Sequence, residues 1–118
     1  MLEDGPKRAV AATVLAARPT ISVQVLNECL LVCRRRLRLD WDRASEFVDD
    51  IRGLCHVVPV TAAIHLLGRA AARRYQLQVY DAMIVGAALD SDCDTLLSED
   101  MQDGLVIDRT LTVRNPFA

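Results

Sequence analysis

Residues 79–100 read VYDAMIVGAALDSDCDTLLSED, and the fold of the chain turns on this stretch. The run AMIVGAAL (Ala82–Leu89) is an apolar helix of small residues, and a helix this apolar must be covered on most of its surface. Asp81, at its start, is therefore a carboxylate at the edge of a core. A cluster of Asp, Ser and Cys breaks the helix, and the β-type run TLLS (Thr95–Ser98) follows, stopping on Glu99 and Asp100. Asp100 falls just past the carboxyl end of a parallel strand, where open α/β sheets place their ligand sites. Two acids brought together from two elements suggest a metal site.

Working outward, the chain alternates helices with short β-type runs. Lys7 to Ala17 reads as a helix, punctuated by Gly5-Pro6 and by Arg18-Pro19. Thr20–Ser22 is a short strand, and Ser22 is a good N-cap for a helix from Val23 to Leu37. Asp40 caps a helix from Trp41 to about Leu54 with Ala44, Phe47, Val48 and Ile51 facing inward. His56 to Val60 is a strand whose pairing Pro59 limits. Thr61 caps a helix from Ala62 to about Tyr75, in which Gly68 lets a neighbour approach closely. A turn at Met101–Gly104 and a last strand at Leu111–Val113 complete the pattern. Strands alternating with helices call for an α/β sandwich of three layers, α/β/α, around a short, mostly parallel sheet of about four strands.

At 118 residues the chain is a single domain with one core. Its net charge of −2 gives no global pull toward nucleic acid, so such a partner must be met by a local patch. The basic run Arg34, Arg35, Arg36 and Arg38 is either a solvated helix end complementing the dipole or a contact for RNA phosphates. None of the four cysteines forms a CxxC pair, and Cys29 and Cys33 read as core positions on one helix face. No signal peptide and no membrane-length apolar run is present, so the expected compartment is cytoplasmic.

Glu28, Asp81 and Asp100 share a context, each at or shortly beyond a strand's carboxyl end or at a helix start. Three acids from distant parts of the sequence therefore meet at one rim. Clustered carboxylates raise each other's pKa unless a cation lies between them. Mg²⁺ or Mn²⁺ suits such a cluster and activates a water against a phosphodiester. Asp103 is an additional ligand or a turn residue. Each acid has a plainer reading by itself: a helix N-terminal acid for Asp81, an Asx-turn for Asp100, a solvated helix position for Glu28.

SVQVLNE (Ser22–Glu28), YDAMIVGAAL (Tyr80–Leu89) and LLSED (Leu96–Asp100) resemble the second, third and fourth acidic motifs of PIN domains, and most of all those of the VapC-type toxin ribonucleases. The resemblance spans essentially the whole chain, 1–118. It implies a Mg²⁺- or Mn²⁺-dependent endoribonuclease of a type II toxin–antitoxin system, dimeric and held inactive by a small antitoxin protein. It places Glu28, Asp81 and Asp100 as the catalytic, metal-holding acids, Ser98 as a supporting hydroxyl and Asp103 as a weaker acidic position.

One departure stands out. The family opens with a hydrophobic strand ending in Asp-Thr-Asn, whereas MLEDGPKRAV resembles the helix after that strand. The expected chain thus lacks the first aspartate and the central strand. Either the start is placed too late in a normal nuclease, or the chain is a shortened, catalytically inactive relative that binds an antitoxin or other partner. A generic phosphohydrolase acting on small substrates fits less well, since no phosphate-cradling glycine loop is present. Loss of a central strand exposes two backbone edges, which predicts marginal stability or association through the gap.

Overall fold

The computed structural model describes residues 5–117, folded in the order α1 (Gly5–Ala16), β1 (Thr20–Ser22), α2 (Val23–Arg35), α3 (Trp41–Leu54), β2 (His56–Val58), α4 (Ala62–Tyr75), α5 (Val79–Asp90), β3 (Thr95–Leu97), β4 (Val106–Ile107) and β5 (Leu111–Arg114). The mixed α/β, largely parallel architecture is the one the sequence predicts. Glu3 and Asp4, the acids nearest the start, lie outside the described residues.

The strands do not form one sheet of four. They form two: β1 pairs in parallel with β2, while β3 pairs in parallel with β5, whose other edge carries β4 antiparallel. β1 and β3 each keep an edge unpaired by any described strand, and α5 packs against both. α5 thus spans the two sheets.

Beyond its exposed first residues Val79 and Tyr80, α5 is buried over most of its length, at Ala82, Met83, Val85, Gly86, Ala87 and Ala88. Its tightest partner is α4, joined to it by the three-residue link Gln76–Gln78. Small residues allow the approach: a Cβ at Gly68 would stand 2.7 Å from the Ala82 carbonyl oxygen. The largest core cluster joins Ala71, Val85 and Ala88 to Ile107, Leu111 and Val113 of the three-stranded sheet. The α2–α3 half is more open, leaving Val32, Leu37, Trp41 and Phe47 between 42% and 59% exposed.

Side-chain caps fix the starts of α3 and α4. The Asp40 carboxylate accepts from the Arg43 N–H at 2.8 Å, and the Thr61 hydroxyl accepts from the Ile64 N–H at 3.2 Å. Ser22 departs from expectation. It occupies the N-cap position of α2, but its side chain makes no capping bond. Its Oγ is buried and unpartnered, the only such side-chain atom among the described residues.

Candidate active site

Glu28 lies two turns into α2, Asp81 in the first turn of α5, and Asp100 just beyond β3. The fold brings these three carboxylates within electrostatic reach of one another. Burial, then the charges of Asp81 and Asp100, push the Glu28 carboxyl above its ordinary range. Burial, then the Asp100 charge, do the same for Asp81.

The burial of Glu28 has an identifiable source. It borders an apolar groove between α2 and α3, lined by Val25, Cys29, Val32, Leu37 and Phe47. Cys29, its neighbour there, has its thiol pushed up by burial first and then by the charges of Cys33, Glu28 and Cys55, which leaves it protonated. All four cysteines are free.

The β3–β4 loop aims the third acid. The Ser98 Oγ accepts from the Asp100 N–H at 3.2 Å and the Met101 N–H at 3.3 Å, closing a tight turn after the strand. Glu99 is turned aside to Lys7, 2.9 Å away. Of the two adjacent acids, Asp100 is thereby left to the cluster. Asp103 is drawn elsewhere: its Oδ1 accepts from the Asn115 N–H at 2.9 Å, pinning the turn to the end of β5.

No lysine, arginine or histidine pairs with Glu28, Asp81 or Asp100 among the described residues. Three acidic oxygen donors without an internal counter-charge suit a hard divalent cation. Among the described residues no three such groups stand close enough to grip an ion as they lie. The donor chemistry fits.

What the sequence reading did not weigh is a second arginine set, Arg69, Arg73 and Arg74 on the outer face of α4. Their spacing of three to four residues was the available signal. No helix among the described residues is long and apolar enough to cross a membrane.

A family model described as PIN domain matches residues 1–102, and no curated protein matches the chain. PIN domains are generally nucleases and typically use divalent metal ions. The match runs through α5 and β3 and takes in Glu28, Asp81 and Asp100, and the chain belongs to the PIN domain family.

Proposed function

We propose that this PIN domain is a metal-dependent endoribonuclease of the VapC-like toxin class, hydrolysing RNA phosphodiester bonds in the cytoplasm under the control of a cognate antitoxin. The observation that carries the reading is the cluster of Glu28, Asp81 and Asp100, in which burial and the neighbouring carboxylates raise the proton affinity of Glu28 and Asp81 and no cationic side chain among the described residues pairs with any of the three. Glu28, Asp81 and Asp100 would hold Mg²⁺ or Mn²⁺, which when bound supplies a polarised water and charge stabilisation at phosphorus.

The chain's own residues do the rest. Asp81 is in the first turn of α5, directly before the buried Ala82 and Met83, so its position is set by the packing of that helix. Asp100 is exposed and held by the Ser98 turn, which leaves it accessible to a polyanionic chain. Glu28, in its apolar surroundings, has its carboxyl pushed above the ordinary carboxylate range. Labelled RNA incubated with the protein and Mn²⁺ tests the reading: cleavage that EDTA abolishes supports it, and absence of cleavage at millimolar Mn²⁺ removes it.

A second reading, the catalytically inactive relative that binds a partner, draws on a different observation. The groove beside Glu28 measures about 250 Å³ and has an entirely apolar lining surface, as a protein-docking groove would. Tight binding of an antitoxin together with no cleavage of RNA would favour it. Self-association as a homodimer is expected on either reading, through the unpaired edges of β1 and β3.

A further inference from the structure

α4 turns Ile64, Gly68 and Ala71 toward the core and presents the opposite face to solvent. That face carries Leu66, Arg69, Ala70, Arg73 and Arg74, which line a groove of about 610 Å³. Among the described residues no acidic side chain contributes to the lining. Arg74 is partly engaged, 3.9 Å from Asp108 and stacked 5.5 Å from the Tyr75 ring centroid. Arg69 and Arg73 are exposed and make no ion pair among the described residues.

Two guanidinium groups four residues apart on a helix repel each other. Nothing in the described part of the fold offsets that repulsion, so the arrangement calls for an external anion. Side chains at this spacing are about 5–6 Å apart at Cβ, which suits a ligand with repeated charges better than a single small ion. Guanidinium groups also grip phosphate through two parallel hydrogen bonds. Exposed Leu66 and Ala70 offer an apolar floor between them, against which a ribose or base can lie. The groove has a direction as well: Arg73 is in the last turn of α4 and Asp81 in the first turn of α5, so its carboxyl-terminal end meets the end of the hairpin that holds the acid.

We propose that the outer face of α4 is a track for the phosphate backbone of single-stranded RNA, with Arg69 and Arg73 each holding one phosphate of the strand that reaches the Asp81 end. This rests on the nuclease reading and deepens it by naming the residues that position the substrate. Arg69 and Arg73 are positioning residues and touch no reacting atom.

The test is binding of a labelled single-stranded oligoribonucleotide, followed by fluorescence anisotropy over a range of salt concentrations in EDTA. The full chain is compared with R69A/R73A and with R69K/R73K. The alanine pair is expected to bind about tenfold more weakly, with a plot of log affinity against log salt shallower by about 1.4 for two lost phosphate contacts. The lysine pair keeps the wild-type slope because its charge is retained. With Mn²⁺ present, R69A/R73A raises KM for RNA cleavage and leaves kcat unchanged. Unaltered affinity and slope in R69A/R73A overturn the track while leaving the nuclease reading intact. A wild-type protein that neither binds nor cuts RNA removes both. Binding of labelled polyglutamate more tightly than RNA of equal charge, lost in R69A/R73A, assigns the groove to an acidic polypeptide and overturns the RNA assignment.

Discussion

Gly68 and Gly86 face each other across the α4–α5 contact so closely that a Cβ at Gly86 would stand 2.9 Å from the Gly68 nitrogen and 2.6 Å from the Ile64 carbonyl oxygen. Every close neighbour of that Cβ is backbone, so nothing yields by rotating a side chain. Gly86→Ala should therefore destabilise the protein by about 3 kcal/mol, the upper end of overpacking. The roughly 1 kcal/mol that alanine gains in helix propensity does not offset this. Gly68→Ala should cost less, since one of its close neighbours is the flexible end of Met83. Urea denaturation of the two variants checks the order, and a stabilised Gly86→Ala would contradict it.

Metal-free stability should depend on pH through Glu28 and Asp81. Both carboxyls sit above their ordinary range in the folded protein, so the fold binds these two protons more tightly than the unfolded chain does. Their contribution is therefore lost as pH rises from the ordinary carboxylate range through the raised folded values, and it stays lost at neutral pH. Melting in EDTA should show E28Q gaining on the wild type across that interval. A difference between the two that is flat with pH would rule this coupling out.

The β4–β5 hairpin is a strained turn. Asp108 and Arg109 both have positive φ, 50° and 65°, and the Thr110 N–H donates to the Ile107 carbonyl at 3.1 Å. This is a type I′ turn built without the usual glycine. Arg109→Gly should stabilise the protein by about 0.5–1 kcal/mol by removing the side chain from a left-handed position. Tyr75→Phe should act in the opposite sense by about 1 kcal/mol, because the Tyr75 hydroxyl accepts from the Asp108 N–H at 2.9 Å and holds this turn to α4. Thermal melts of both single variants decide it.

The unpaired edges of β1 and β3 should make the chain associate as its concentration rises. Leu97, 43% exposed on β3, is the residue at which to block that edge. Leu97→Lys should shift sedimentation toward the monomer with little effect on the melt. A wild type that stays monomeric at high concentration with a sharp, high-temperature melt would contradict the prediction.

The helices were legible because each carries its own punctuation: Pro19 after α1, Asp40 and Thr61 at their caps, and the small-residue run of α5. Gly68 was legible for the same reason, as a glycine within an apolar stripe has few other uses. β4 was not, since a two-residue strand that turns back through Asp-Arg lacks the Asn-Gly signature of such a turn. Nor does a sequence reveal that Ser22 sits at a cap without capping, because that depends on where burial turns its hydroxyl. Asp103 illustrates the same limit, its carboxylate being claimed by Asn115, twelve residues away. The acids at Glu28, Asp81 and Asp100 were singled out by their placement at element ends, and their mutual influence emerges only from the packing of α2, α5 and the loop after β3.

The most direct measurement is Mn²⁺-dependent RNA cleavage by the full chain beside D81N. This substitution keeps the side chain's size and removes one charge from the cluster. Cleavage by the wild type that falls about 10²–10³-fold in D81N, the scale seen when one electrostatic stabiliser is removed from a site, is the predicted result. Equal cleavage by the two proteins would contradict the assignment of Asp81, and with it the carboxylate cluster as the centre of the chemistry.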